Sequence, residues 1–281
     1  MKYLQTVHVS TITIKLIKYL KNRVERLLYP PLLEYAPDGW HSVLNESDNV
    51  GWNATNVVTA EKAKWDAFGA VIAGTEPLGF SHEHADFADN RVVPFHNVHI
   101  TYGYVLALAA HQKATLSVLD YGGGLGHYFQ IGKALLPDIL LDFHCKEMAS
   151  IAEAGKMLNP DILWHTDDGC MKRKYDLVMI NGSLQYLENW QQFLRDISES
   201  VGDYLFLTRV PVIEKADSFV AVQNIYGTHM LHGQFNQNDL LQVVKDTGLT
   251  LFREFVVGDR PYIKNAPEQC ELRGWLFRKN K

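Results

Sequence analysis

Cysteine is scarce in this chain, with three residues in 281, and they lie far apart in the sequence. So few scattered thiols cannot build a disulfide framework or a cysteine-rich zinc site, and a reducing cytoplasm suits them best. No apolar run approaches the roughly 20 residues that a membrane-spanning helix needs. No short apolar segment precedes a small-residue cleavage site, so we expect no signal peptide.

Several motifs of common enzyme classes are also missing. The chain has neither a phosphate-binding G-x-x-x-x-G-K-S/T sequence nor a G-x-S-x-G elbow, which argues against kinases and many hydrolases. The helical H-E-x-x-H zinc motif is absent too. Its nearest counterpart is His82-Glu83-His84-Ala85-Asp86, where the two histidines lie two positions apart on a predicted loop, so we predict no metal site.

The charge of the chain is divided unevenly. Residues 1–28 carry six cations and one acid, a net charge of +5. Since the net charge of the whole chain is −5, residues 29–281 carry a net charge of −10. An acidic body argues against a nucleic-acid acceptor, which requires a basic surface. Apolar residues recur at helical spacing in residues 1–28, which predicts a basic amphipathic helix. Such a helix could lie on a membrane surface, on its own domain or on a second subunit.

The strongest signal present is a glycine-rich turn. An apolar run, Ser117-Val118-Leu119-Asp120-Tyr121, leads into Gly122-Gly123-Gly124-Leu125-Gly126 and then into a helix-like segment from His127. Glycines allow a backbone to turn with positive φ and to approach a ligand closely, and a helix N-terminus attracts anions. The spacing does not fit the dinucleotide pattern G-x-G-x-x-G, because the third glycine would fall on His127 or Phe129.

Further strands and helices alternate downstream of this turn. The apolar run from Ile139 predicts a second strand that ends near Glu147, 21 residues beyond Gly126, where a nucleotide-binding fold places an acid on the ribose hydroxyls. Glu147 could also cap the helix that follows it. Further strands are predicted at 162–165, 175–180, 204–209, 250–257 and 273–278, the last two as an antiparallel pair. Helices are predicted at 188–200 and 238–247. This alternation predicts an α/β fold with a doubly wound, mostly parallel sheet.

The pattern D-x-G-G-G-x-G that begins at Asp120 resembles motif I of the class I S-adenosylmethionine (SAM) methyltransferases. The resemblance implies that Asp120 lies near the methionine amino group and that Gly122, Gly123, Gly124 and Gly126 pass beneath the methionine and ribose. It also implies that Asp167 contacts the adenine amino group and that Asn181 and Ser183 lie at the mouth of the active site. N-P-P-Y, typical of amino-directed DNA methyltransferases, is absent.

A narrower resemblance covers the chain from about Tyr29 onward. The narrower resemblance is to a bacterial methyltransferase family with no assigned acceptor. It is carried by the segments Pro37-Asp38-Gly39-Trp40, Gly51-Trp52-Asn53, Gly122-Gly123-Gly124-Leu125-Gly126-His127-Tyr128, Ser183-Leu184-Gln185-Tyr186 and Leu207-Thr208-Arg209-Val210-Pro211. Residues 114–281 are therefore expected to form the SAM-binding domain. Residues 29–113 are expected to form a helical and loop lid, with helices at Thr59–Gly74 and about Asn97–His111.

The resemblance implies methyl transfer from SAM to an oxygen or nitrogen of a small molecule or glycan precursor. His127, Tyr186 and His229 are the candidates for a general base, because each can accept a proton from the acceptor. Two alternatives stay open at this point. The chain could bind SAM without catalysing a reaction, or it could be an NAD(P)-dependent oxidoreductase, which the glycine spacing disfavours.

Overall fold

The computed structural model describes residues 32–42, 51–52, 55–80 and 90–280. The helix predicted in residues 1–28 and the histidines at positions 82 and 84 lie outside these ranges. None of the described helices is long and apolar enough to cross a membrane.

Eleven strands and seven α-helices occur in the described residues. The strands are β1 (Leu33–Ala36), β2 (Thr115–Tyr121), β3 (Leu140–Lys146), β4 (Leu163–His165), β5 (Tyr175–Asn181), β6 (Val201–Ile213), β7 (Phe219–Ile225), β8 (Thr228–Asn236), β9 (Leu249–Asp259), β10 (Ile263–Lys264) and β11 (Glu271–Lys279). The helices are α1 (Thr55–Lys62), α2 (Trp65–Ala73), α3 (Val93–Ala109), α4 (His127–Leu135), α5 (Ala149–Leu158), α6 (Trp190–Ser198) and α7 (Gln237–Asp246).

Seven of these strands form the central sheet in the order β4-β3-β2-β5-β6-β11-β9. The first five are parallel, and β11 runs antiparallel to both of its neighbours. The order reverses direction at β2, so the crevice for a ligand is expected beside the carboxyl end of that strand. This is the strand order of the class I methyltransferase fold, and it confirms the predicted fold class.

The central sheet is covered by helices on both faces. Side chains alternate along β2, so Val118 joins a core that contains Tyr102 of α3 and Phe129 of α4. Leu119, on the opposite face of β2, joins a second core that contains Leu194 of α6 and Leu240 of α7. These two cores fix the position of the turn between β2 and α4.

A second small sheet, in the order β10-β1-β7-β8, was not predicted. Its β7–β8 hairpin turns at Tyr226 and Gly227, which both have positive φ. β8 also pairs with the last residues of β6, because β6 continues to Ile213, beyond the predicted end at Arg209. The hairpin therefore lies at the carboxyl-end side of the central sheet.

The helix predicted at Thr59–Gly74 is in fact two helices, α1 and α2, separated at Ala63 and Lys64. The two helices pack against different elements: α1 contacts α5, and α2 contacts α4. A single straight helix could not reach both. The helix predicted at about Asn97–His111 begins earlier, at Val93, with Pro94 in its first turn, where a missing N–H has no cost.

Candidate active site

The turn after β2 has a backbone shape that strongly favours glycine. Gly122, Gly124 and Gly126 have φ of 76°, 59° and 88°. A Cβ atom on Gly122 would lie 2.4 Å from Cβ of Ser183, and one on Gly123 would lie 2.4 Å from Oδ2 of Asp120. Any side chain at these two positions would therefore displace the residues that support the turn.

A cavity of about 160 Å³ lies over this turn, at the carboxyl ends of β2, β3 and β5. Eight of the twelve predicted site residues line it: Gly122, Gly123, Gly124, His127, Glu147, Asn181, Ser183 and Tyr186. The other four, Asp120, Gly126, Asp167 and His229, do not. Eight residues predicted from separate segments thus come together around one cavity, whereas these four lie outside its lining.

Glu147 joins the end of β3 to the glycine turn. Its Oε1 accepts a hydrogen bond from the backbone N–H of Gly124 at 3.0 Å, and its Oε2 accepts one from the N–H of Met148 at 2.7 Å. Burial raises the pKa of Glu147, although these two bonds and the neighbouring Lys146 act in the opposite direction. Its carboxylate both supports the turn and faces the cavity.

Asp120 lies beneath the turn and is not among the residues that line the cavity, although the resemblance implied a place near the methionine amino group. It is fully buried, and neither carboxylate oxygen has a hydrogen-bond partner among the described residues. Burial, with a smaller effect from Glu147, raises its pKa to about 8. Gly123 packs directly against the carboxylate of Asp120, since a Cβ on Gly123 would collide with Oδ2 of Asp120. The backbone of Gly123 therefore lies between Asp120 and the cavity.

A buried polar group accompanies Asp120 under the turn. The ring of Tyr102 packs edge-on against Tyr128 at 4.8 Å, and burial together with the charge of Asp120 raises the pKa of Tyr102 well above its usual value. Nδ2 of Asn181 donates a hydrogen bond to the hydroxyl of Tyr128. Asn181 is thus held from below while it lines the cavity from β5.

Asp167 is used locally. Its carboxylate accepts a 2.7 Å hydrogen bond from the N–H of Gly169 and caps the short turn that follows, so it does not reach the cavity. Its neighbour Asp168 accepts a hydrogen bond from the hydroxyl of Tyr121 at 3.0 Å and lies 3.7 Å from Nζ of Lys146. Tyr121 and Lys146 both line the cavity. Asp168 therefore holds two of the lining side chains in place from behind.

Two of the three predicted bases line the cavity. The buried ring of His127 lies 5.0 Å from Trp65 and 4.7 Å from Phe68, both on α2. The hydroxyl of Tyr186 donates a 2.7 Å hydrogen bond to Oε1 of Gln223 on β7. α2 and the hairpin therefore fix these two side chains from opposite directions.

His229 of β8, the third candidate base, does not line the cavity. It is exposed and pairs with Asn224 on the adjacent strand, away from the cavity. His232 lies three positions further on, so it points to the opposite face of the strand. Its buried ring packs edge-on against Tyr186, with 5.4 Å between the ring centres.

Three further cavity residues were not predicted. Glu61 of α1 is 5 % exposed, and its Oε2 lies 3.5 Å from the position of a Cβ on Gly124. Trp52 packs edge-on against Tyr186 at 5.0 Å. Arg209 of β6 has a φ of 55° and places its guanidinium over the ring of Phe95 at 5.1 Å. A signal for Trp52 and Arg209 existed, because both lie in the segments of the narrower resemblance; Glu61 had none.

The described residues contain no cluster of three or more histidine, cysteine or acidic side chains that could hold a metal ion. The His82 and His84 segment lies outside them. Cavity charges thus come from Glu61, Glu147, Lys146 and Arg209.

No protein-family model and no curated protein matches the chain. Among solved structures, the chain is similar to magnesium protoporphyrin IX methyltransferase from Synechocystis with bound SAH, at 14 % identity and a TM-score of 0.48, over 78 % of this chain and 95 % of that one. It is also similar to 1,6-didemethyltoxoflavin-N1-methyltransferase from Burkholderia thailandensis, at 14 % identity and a TM-score of 0.43, over 79 % and 91 %. A third similar structure is an O-methyltransferase family protein from the same organism, at 14 % identity and a TM-score of 0.44, over 97 % of this chain and 85 % of that one. The fold assignment itself follows from the strand order.

Proposed function

We propose that this chain is a SAM-dependent methyltransferase. The observation that carries the proposal is the glycine turn itself, which is closed to side chains at Gly122 and Gly123 and bonded through Gly124 to the acid that ends β3. This arrangement brings a bare backbone and a carboxylate to one cavity, at the position where the sheet order reverses.

The residues present fit two parts of SAM, its ribose and its methionine moiety. Glu147 supplies a carboxylate for the ribose hydroxyls. Gly124 leaves space in the cavity that a Cβ would fill, and Glu61 faces that space with a second carboxylate. Asp120 is enclosed below the turn, so Glu61 is the acid that we assign to the ammonium group of the methionine moiety.

When bound, SAM supplies an electrophilic methyl group on a sulfonium centre. The protein has to align an acceptor atom, exclude water and receive a proton. Tyr186 and His127 line the cavity and are held by neighbours that limit their rotation, so they are the candidates to position the acceptor or to take its proton. The acceptor that we propose is an oxygen or nitrogen atom of a small molecule or glycan precursor, and not a nucleic acid.

Isothermal calorimetry with SAM, S-adenosylhomocysteine and NAD tests the cofactor. We expect both SAM and its demethylated product to bind, and NAD to give no saturable heat. Glu147→Gln should weaken SAM binding about tenfold, since a hydrogen bond to a charged group contributes about 1.5 kcal/mol. Glu153→Gln, on the exposed side of α5, is the matched control and should leave the affinity unchanged. Binding of NAD in preference to SAM would overturn the proposal.

Transfer activity is tested separately from binding. Radiolabelled methyl groups from SAM should enter a product in an extract of the source cells, and Glu147→Gln should lower the rate of labelling about tenfold at a SAM concentration below its dissociation constant. SAM binding without label transfer to any acceptor would favour the alternative of a non-catalytic SAM-binding protein. Contact of residues 1–28 with a membrane, the rest of the chain or a second copy stays a prediction.

A further inference from the structure

A β-bulge interrupts β6 at the residue that reaches the cavity. The pairing of β6 with β11 slips at this point, so that Thr208 and Arg209 together lie opposite one residue of β11, Gly274. Arg209 has a φ of 55°, in the left-handed region where such a bulge usually has glycine. The other three non-glycine residues with positive φ in the described ranges lie in turns, whereas Arg209 lies within a strand. This conformation costs stability, so an arginine that keeps it indicates a functional constraint.

The bulge directs the Arg209 side chain to the end of β5. Its guanidinium lies over the ring of Phe95, with 5.1 Å between Cζ and the ring centre. Its Nη1 lies 3.4 Å from the position of a Cβ on Gly182, so the bare backbone after β5 provides the space that the guanidinium occupies. Arg209 and Gly182 both line the cavity. The bulge therefore brings a positive charge to the cavity wall.

This charge lies on the acceptor side of the cavity. Four charged residues line the cavity: Glu61, Lys146, Glu147 and Arg209. The two acids both lie at Gly124, which belongs to the turn after β2, and Lys146 ends β3. Arg209 comes from β6, which is separated from β2 by β5. Tyr186, which we assign to the acceptor, follows β5 directly. Arg209 is thus the charged lining residue on the side where the acceptor is expected.

A guanidinium presents five N–H donors in a planar fork, which matches two oxygens of a carboxylate or a phosphate. Packing over the ring of Phe95 limits its rotation, and five donors are enough to bind a ligand in addition to a contact within the protein. We propose that the acceptor carries a carboxylate or phosphate group and that Arg209 binds this group. The proposal rests on the proposed methyltransferase function and narrows its acceptor to an anionic small molecule or glycan precursor.

The binding test uses the full chain saturated with S-adenosylhomocysteine, so that the carboxylate of the cofactor is already in place. Benzoate, phenyl phosphate and benzamide are titrated, because each has a ring for the aromatic side chains of the cavity and benzamide is an uncharged analogue of benzoate of the same shape. Saturation-transfer NMR measures the dissociation constants. We expect at least one anion to saturate and benzamide to bind about tenfold more weakly, since hydrogen bonds between two charged groups are stronger.

Two substitutions of Arg209 separate its charge from its backbone conformation. Arg209→Gln should weaken the anions about tenfold and remove their advantage over benzamide. Arg209→Gly should do the same, and it preserves the bulge because glycine adopts a φ of 55° without strain. Arg195→Gln, at an exposed position on α6, is the matched control and should leave all three ligands unchanged. The affinity for S-adenosylhomocysteine should stay the same in every variant, which shows that the fold is intact.

Kinetics give the second test. The labelled product of methyl transfer should be retained on an anion exchanger at pH 7, and Arg209→Gln should raise the KM for the acceptor about tenfold without changing the affinity for SAM.

The inference is overturned if neither anion saturates, if benzamide binds as well as benzoate, if Arg209→Gln keeps its affinity for the anions, or if the labelled product is uncharged or cationic. Weaker binding of S-adenosylhomocysteine to Arg209→Gln, with methylthioadenosine unaffected, would also overturn it, because Arg209 would then hold the carboxylate of the cofactor. In each of these cases the natural protein still binds SAM, whereas failure of the proposed function is seen as preference for NAD. The two failures are therefore distinguishable.

Discussion

Gly123 shows how a single missing side chain can set the form of the site. Its Cβ would lie 2.4 Å from Oδ2 of Asp120 and 2.7 Å from Sγ of Cys145, both in the buried layer below the turn. We expect Gly123→Ala to shift the turn, lower the melting temperature and weaken SAM binding by about tenfold or more. Calorimetry and thermal unfolding measure the two effects.

Gly69→Ala is the control for that change. Gly69 lies within α2, and no heavy atom lies within 4 Å of its Cβ position. Alanine should therefore leave SAM affinity unaltered and stabilise the protein by about 1 kcal/mol, because glycine is a poor helix former. If both substitutions behaved alike, the close approach of Gly123 to Asp120 would have no functional meaning.

Glu61 and Glu147 can be assigned to different ends of the ligand by comparing two compounds. Methylthioadenosine retains the ribose and adenine of SAM but lacks the amino-acid tail. We expect Glu61→Gln to weaken SAM about tenfold and to leave methylthioadenosine unchanged, whereas Glu147→Gln should weaken both. Calorimetric titrations decide this. Equal loss of both compounds with Glu61→Gln would remove Glu61 from the methionine end.

The difference between these two acids also shows how far residue patterns reach. Glu147 could be predicted because it follows a strand at a fixed distance from the glycines. Glu61 could not, since its relevance depends on the break after α1, and the sequence through Ala63 and Lys64 reads as continuous helix. The position of His229 outside the cavity lining could not be predicted for a related reason: the face of a strand on which a residue lies depends on its position within the strand, and β8 had not been recognised.

The β7–β8 hairpin is the element that separates this molecule from a plain doubly wound sheet. It presents Gln223 to the hydroxyl of Tyr186, which lies in the short turn Leu184–Tyr186 after β5. This bond ties the hairpin to the central sheet beside the cavity. The hairpin should therefore hold the acceptor side of the site in place without contacting the cofactor side.

A double-mutant cycle on Tyr186→Phe and Gln223→Leu tests this role. We expect each single change to lower kcat with little change in SAM affinity, and the two changes to be coupled by about 1 kcal/mol in unfolding free energy. If the Tyr186 hydroxyl also takes the proton from the acceptor, Tyr186→Phe should reduce kcat more than Gln223→Leu does. Tyr204→Phe, on the outer part of β6, is the control. Additive effects would show that the hydrogen bond does not position Tyr186.

At the scale of the whole molecule, the central sheet was predictable and the second sheet was not. Consecutive strands such as β2 and β3 are neighbours, joined by one helix, so local patterns and the right-handed crossover rule are sufficient. β1 pairs instead with β7, far away along the chain: Leu33 lies opposite Gln223, 190 positions later. A four-residue strand with that separation carries no local signal of its partner.

Stability should depend on pH in a way that reflects the whole set of buried groups. Burial lowers the pKa of His99 to about 4 and also lowers the pKa values of His144 and His165, so these imidazoles bind a proton less readily in the folded protein than in the unfolded chain. The unfolded chain binds protons at these histidines below about pH 6.5, so stability should fall as the pH decreases from 6.5 towards 4. Each unmatched proton contributes a slope of up to about 1.4 kcal/mol per pH unit.

Asp120 acts in the opposite direction. Its pKa of about 8 in the folded protein lies above its ordinary value of 3.8, so the folded state keeps a proton that the unfolded chain loses. The stability from this group is complete below pH 3.8 and declines as the pH rises through 8, which places the stability maximum near pH 6.5, where the histidines no longer bind protons on unfolding. Urea unfolding from pH 5 to 9 should show that maximum. Asp120→Asn, which resembles the protonated acid in shape, should abolish the decline above pH 7 and steepen the rise in stability between pH 5 and 6.5, because the folded protein holds the Asp120 proton across that range too. A decline above pH 7 that persists in Asp120→Asn would mean that another buried group, and not Asp120, causes it.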